Sequence, residues 1–260
     1  MFTVISPAKR LHEGAVLGTY DSTKPDWLTE SEGLISVLRP LGEAEISNLM
    51  GISEALAKLN HKRYNAWRAD AGPEATRQAV LLFAGDTYTG LDAASLPADD
   101  LRFAQGALGI LSGLHGLLRP LDRILPYRLE MGTQLTNSRG KNLYQFWGTM
   151  IADRIKVILD EHEHKAVVNL ASAEYFKAVD KRAFPYRVIT PVFKEVKEGR
   201  AKVVSFVAKR ARGTMARHII QQRITDPEDL KGFSGMGYSY KPEDSTADAW
   251  VYTRPAGTPS

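Results

Sequence analysis

Apolar and polar positions along this chain alternate between two periods, and the changes of period mark out its elements. Phe2 to Ser6 is a short apolar run closed by Pro7, the pattern of a buried strand. Residues 26–38 place Trp27, Leu28, Leu34, Ile35 and Leu38 at helical spacing before Pro40. Two more helices are predicted over about 42–49 and 53–66, joined by a very short turn. Pro73 suits the first position of another helix, leading into Ala79–Phe83, which reads as a strand. Residues 85–90 read as a loop, 98–106 as a helix and 107–111 as a short strand. Asn142 to about Glu161 reads as one long helix with Phe146, Met150, Ile151, Ile155 and Ile158 on one side.

Further on, residues 166–170 predict a strand and 172–179 a helix capped by Ser172. Residues 187–193 and 201–206 predict two strands around a Gly199 turn, followed by a basic helix over 207–224 and a short one over 226–230. Residues 238–240 and 250–252 predict a closing hairpin, and 255–260 a frayed terminus. Interleaved helices and strands predict an α/β (mixed α+β) fold, a single domain over 1–254 built on a central mixed sheet.

Composition narrows the function classes. The 260 residues include no cysteine, which excludes disulfides, thiol catalysis and Cys-ligated metal, and fits a reducing, cytoplasmic compartment. The N-terminus reads as a first strand and not as a signal peptide. No apolar run reaches the roughly 18 residues of a membrane span, so no membrane partner is expected. Net charge is +4, unevenly spread. Residues 1–100 carry 9 basic and 14 acidic side chains, whereas residues 199–225 carry seven Lys/Arg and no Asp/Glu. Such a single-sign stretch attracts anions more strongly than the total suggests.

Three segments concentrate candidate chemistry. In the basic helix, Lys209, Arg210, Arg212, Arg217 and Arg223 fall on one side, with Gly213 and Ala216 leaving room for a backbone or a phosphate. The segment Leu111–Gly132 combines Arg119, Arg123, Arg128 and Tyr127 with Asp122 and Glu130; its arginines either grip an anion or pair with those carboxylates. His115 and Ser112 in the same segment are candidate acid/base or hydrogen-bonding groups. The segment Glu45–Ala57 has the layout helix, Leu-x-Gly-Ile-Ser turn, helix, similar to a helix-hairpin-helix. In that motif Gly51 and Ser53 present backbone N–H groups to a phosphate and Lys58, Lys62 and Arg63 add charge, while Glu54 opposes it.

Polar residues at strand ends form a fourth group: Lys9, Tyr88, Asn169, Ser172, Tyr175 and Lys177. No phosphate-loop, dinucleotide-binding, zinc-protease or serine-hydrolase motif occurs. His162 and His164 lack a third ligand nearby, so no metal site is expected, nor any cofactor.

Several ordered motifs carry a family resemblance: Ile5-Ser-Pro-Ala-Lys9, Gly85-Asp-Thr-Tyr-Thr-Gly-Leu91, the run from Leu111 to Asp122, Pro126-Tyr-Arg-Leu-Glu-Met-Gly132, Leu143-Tyr-Gln-Phe-Trp-Gly148, Asn169-Leu-Ala-Ser172 with Glu174-Tyr-Phe-Lys177, and Ala208-Lys-Arg-Ala-Arg-Gly213. Together, over about residues 1–252, they closely resemble the bacterial YaaA family of peroxide stress resistance proteins. The resemblance implies a cytosolic protein that limits iron-driven damage under hydrogen peroxide. It also implies DNA binding, a helix-hairpin-helix over about 42–66 and a positively charged cleft. It supplies no catalytic residues, and a tyrosine is also familiar at position 115, which argues against an essential imidazole.

Two functions are therefore expected. One is non-specific double-stranded DNA binding by a chain favoured as a monomer, through Gly51, Ser53, Lys58, Lys62, Arg119, Arg128, Lys209, Arg210, Arg212 and Arg217. The alternative is an enzyme acting on a small anionic or nucleotide-like substrate, in a pocket formed by Lys9, Arg119, Arg128, Asn169 and Ser172 with Tyr88, Tyr127, Tyr175 and Lys177.

Overall fold

A computed structural model describes residues 1–14, 21–179 and 184–259. In chain order the elements are β1 (Phe2–Ile5), β2 (Arg10–Leu11), α1 (Leu28–Leu38), α2 (Glu43–Met50), α3 (Glu54–Ala66), β3 (Arg77–Gln78), α4 (Ala79–Leu82), β4 (Phe83–Ala84), α5 (Asp86–Leu91), α6 (Ala98–Ala107), β5 (Leu108–Ser112), β6 (Gly116–Leu118) and β7 (Arg123–Ile124). They continue as α7 (Leu143–Trp147), α8 (Met150–Asp160), β8 (Ala166–Leu170), α9 (Ala173–Phe176), β9 (Arg187–Lys197), β10 (Arg200–Lys202), α10 (Ser205–Gln221), β11 (Ser239–Tyr240) and β12 (Ala249–Pro255).

A mixed eight-stranded sheet forms the centre, in the order β11-β12-β9-β8-β1-β5-β6 with β10 paired to β9. Its middle five strands are parallel: β1 pairs with β5 and β8, β8 with β9, and β9 with β12. Antiparallel β6 and β11 flank them. All four residues of β1 are buried, as are all five of β8, because helices cover both faces of a central parallel strand. Counted along the chain, the parallel strands run 2-1-3-4-5. The order reverses at β1, so the connections leaving β1 and β8 diverge and open a crevice beyond their carboxyl ends.

Several local predictions are corrected; the strand expected over 201–206 is limited to β10, and Ser205 and Phe206 already belong to α10. Residues 79–82 form a helical turn followed by β4, since a short apolar run does not by itself distinguish a buried strand from a buried helix. The helix expected from Pro73 is absent; residues 73–75 are a turn. The glycine-flanked segment 86–91 is helical. The long helix expected over 142–161 is split into α7 and α8 at Gly148, whose φ of +48° breaks the helical path. At the carboxyl end, β12 extends through Pro255, and the Ala256 amide donates to the Val196 carbonyl, so the expected fraying does not begin at 255; Ser260 lies outside the described residues.

Candidate functional site

The crevice at the strand reversal holds a half-open pocket of about 570 Å³. β1 leads into it with Ser6, Pro7, Ala8, Lys9 and Arg10, and β8 with Leu170 and Ser172. β4 and the first turn of α5 supply Phe83, Asp86 and Tyr88; the loop after β7 supplies Tyr127, Arg128 and Glu130; α9 supplies Glu174 and Tyr175; α10 supplies Lys209 and Arg212. A volume in this range suits a small ligand of roughly nucleotide size.

The strand ends are cross-tied at the pocket floor. Ser6 Oγ accepts from the Ser172 amide at 2.9 Å and lies 3.4 Å from Ser172 Oγ. Ser172 Oγ also accepts from the Tyr175 amide, capping α9 as its sequence predicts. The Tyr88 hydroxyl donates to the Ser6 carbonyl at 3.0 Å. Tyr127 OH lies 2.6 Å from Ser112 Oγ. Burial raises the pKa of Tyr88, Tyr127 and Tyr175, so all three phenols stay protonated and serve as neutral hydrogen-bonding walls.

Charge on the two sides of the pocket is organised differently. On one side Glu130 is shared between Lys9 at 3.0 Å and Arg128 at 2.8 Å, so those three groups largely neutralise one another. On the other side Lys209 and Arg212 have no ion-pair partner among the described residues. Burial lowers the pKa of the partly buried Arg212 guanidinium, with no carboxylate to offset the cost. Five cations and three carboxylates (Asp86, Glu130 and Glu174) line the pocket, leaving it net positive.

α10 reaches this place by lying against α5 backbone to backbone. A Cβ on Gly213 would come 1.8 Å from the Thr87 carbonyl oxygen, and one on Gly90 would come 2.1 Å from that of Arg210. The room left by Gly213 is thus taken by the backbone of a neighbouring helix. Arg217 donates to the carbonyls of Leu91 and Asp92, and Arg223 pairs with Asp100 at 2.8 Å. Arg210 is partly buried and lies outside the pocket lining.

The expected site residues therefore divide. Lys9, Tyr88, Tyr127, Arg128, Ser172, Tyr175, Lys209 and Arg212 converge. Arg119 does not join them: it binds Asp122 at 2.9 Å and Asp26 at 3.3 Å and donates to the Lys24 carbonyl. Asn169 is buried below the site, its oxygen accepting from the Ala171 amide. Lys177 lies over the Tyr144 ring. Arg10, Asp86, Glu130 and Glu174 join the lining without having been singled out as pocket residues; the position of Arg10 directly after Lys9 was the available signal.

The hairpin α2–α3 forms as the sequence predicts, with Gly51 left-handed at φ +61° and Ser53 Oγ accepting from the Leu56 amide. The Gly51 and Ile52 amides both donate to the Ser47 carbonyl, closing the turn before α3. Lys58 and Lys62 are exposed on α3, whereas Arg63 pairs with Glu13. None of these residues lines the pocket, but Tyr64 of α3 donates its hydroxyl to the Arg128 carbonyl.

Residues 1–244 match a family model described as peroxide stress protein YaaA. Among curated proteins, a UPF0246 protein of Ralstonia pickettii is 50% identical over 254 residues, covering 98% of this chain and 99% of its own. A UPF0246 protein of Neisseria gonorrhoeae is 47% identical over 254 residues, 98% of each chain. One of Pseudoalteromonas translucida is 50% identical over 248 residues, 95% of this chain and 96% of its own.

Proposed function

We propose that this chain, which belongs to the YaaA family of peroxide stress proteins, binds a phosphate-bearing ligand of nucleotide size in the pocket at its strand reversal. The observation that carries this reading is the partly buried Arg212 guanidinium beside Lys209, without a carboxylate partner among the described residues. A desolvated cation persists where an incoming anion completes its coordination. The location supports the same reading, because open parallel sheets bind ligands at the reversal of strand order. Lys9 and Ser172 line the same pocket, so an enzyme with a small anionic substrate is this same reading carried one step further.

Calorimetric titration with ADP and with pyrophosphate tests it. The native chain binds at least one of them, and Arg212→Ala weakens that binding at least about tenfold, the value of a lost charge-assisted hydrogen bond. Absence of binding by the native chain to both overturns the proposal. In cells that depend on this chain, Arg212→Ala should also lower survival under hydrogen peroxide.

A second reading, non-specific binding of double-stranded DNA, is favoured by the α2–α3 hairpin, with the α3 N-terminus at Ser53 and the exposed Lys58 and Lys62. Fluorescence anisotropy with duplex DNA over a salt series separates the two. DNA binding would weaken steeply with salt and respond to reversing both lysines. No binding at about 50 mM salt removes it. Protection against iron-driven damage belongs to this reading if the duplex is the protected molecule.

A further inference from the structure

Phe206 is 62% exposed, the most exposed large apolar side chain among the described residues and the one aromatic ring in that group. It lies in the first turn of α10, three residues before Lys209, which is in turn three before Arg212. Residues three apart on a helix are neighbours, so these side chains form one ridge with about 5–6 Å between successive Cβ atoms. Two of the three, Lys209 and Arg212, line the cationic pocket. Exposure falls along the ridge, from Phe206 through the exposed Lys209 to the partly buried Arg212. The ridge therefore runs from solvent at Phe206 into the pocket at Arg212, which puts Phe206 at the mouth.

A single exposed apolar side chain is ordinary, but this ring adjoins two cations that have no ion-pair partner among the described residues. A nucleotide has the matching make-up, with anionic phosphates at one end and a flat base at the other. At the helical rise, Phe206 lies roughly 9 Å along the axis from Arg212, a gap that a ribose and its phosphates span. Bare pyrophosphate reaches the cations without reaching the ring. The aromatic residues inside the pocket, Phe83, Tyr88, Tyr127 and Tyr175, are all buried and leave little ring face to stack on.

We propose that Phe206 is the base-stacking platform of this pocket, and that the ligand is a nucleotide whose phosphates lie against Arg212 and Lys209 while its base covers the Phe206 ring. The inference rests on the phosphate-bearing ligand proposed above and assigns the remainder of that ligand. Stacking on an aromatic side chain accepts any base, so Phe206 selects for the presence of a base and not for its identity.

Calorimetry on the full chain compares ADP with pyrophosphate. Phe206→Ala should weaken ADP binding at least about fivefold, the low end for loss of a base–aromatic stack, and leave pyrophosphate binding unchanged. Phe206→Tyr, which keeps a ring, should keep the affinity for ADP. In Phe206→Trp the added indole emission should be quenched by ADP and not by pyrophosphate. Sedimentation of the native chain and of Phe206→Ala tests the other occupant of an exposed ring, a second copy of this chain. The inference fails, with phosphate binding left standing, if the native chain binds pyrophosphate and not ADP, or if Phe206→Ala weakens both ligands equally. It fails in the same way if that variant keeps its ADP affinity, whether or not it dissociates a dimer. Binding of neither ligand by the native chain overturns both readings.

Discussion

Gly90 and Gly213 bring the backbones of α5 and α10 together, and in doing so set the distance between two walls of the cationic pocket. Gly213→Ala places a Cβ on the Thr87 carbonyl oxygen, where only backbone can give way. We expect a loss of about 1–3 kcal/mol, the usual cost of overpacking, measured as a lower urea midpoint at unchanged slope. ADP binding should weaken as well, because α5 carries Asp86 and Tyr88 and α10 carries Lys209 and Arg212. An unchanged midpoint would show that the helices separate freely.

Arg212→Ala should separate stability from binding. The substitution removes a desolvated cation that no carboxylate offsets among the described residues, so the folded state should be as stable as the native chain or slightly more so. Loss of ligand binding together with a retained thermal midpoint is the signature of a functional group. A large fall in midpoint would assign Arg212 a structural role instead.

Arg119→Ala should behave in the opposite way. Asp122 is 1% exposed and relies on Arg119 and the Thr23 hydroxyl to hold its charge, while burial pushes its pKa up. Removing one partner of such a pair costs about 3–5 kcal/mol. Ligand affinity, corrected for the folded fraction, should not change, since Arg119 does not line the pocket. Weaker ligand binding by the folded fraction would return Arg119 to the site.

His115 predicts an acid limb. Its pKa is lowered from 6.5 to about 3 on folding, so between those values the unfolded chain takes up a proton that the folded chain refuses. Stability therefore falls as pH drops from about 6.5 towards 3. Asp122, with its pKa raised, acts in the opposite sense, so the measurement is a comparison. Urea midpoints at pH 7, 5 and 4 should fall more steeply for the native chain than for His115→Phe. Parallel slopes would refute the assignment.

Much of this was legible in the residues. β1, β5, β8, the α2–α3 hairpin and the β11–β12 pairing follow from periodicity, caps and turns, because each is a local consequence of its own side chains. Segment 86–91 was not, since Gly85 and Gly90 read locally as loop residues. Gly90 is required by a helix more than a hundred residues away, and no local pattern carries that demand. The arginines of 111–132 offered either an anion grip or internal pairing. Internal pairing occurs at both, Arg119 with Asp122 and Arg128 with Glu130, but only Arg128 also lines the pocket. The choice depends on which chain segment passes opposite each one, which spacing alone does not encode. The room at Gly213 in the basic segment 207–224 was legible, but not that the backbone filling it is that of α5.

The bond from the Tyr64 hydroxyl to the Arg128 carbonyl joins the outer hairpin to a wall of the pocket. Any shift of α3 is passed to the strand of backbone that carries Arg128 and Glu130, and any tightening of that backbone pulls on α3. The two surfaces thus meet at one hydrogen bond, and if each binds a ligand, either ligand changes the other's affinity by the same factor. Tyr64→Phe cuts that connection and leaves both surfaces in place, so any such coupling between them should vanish with the hydroxyl.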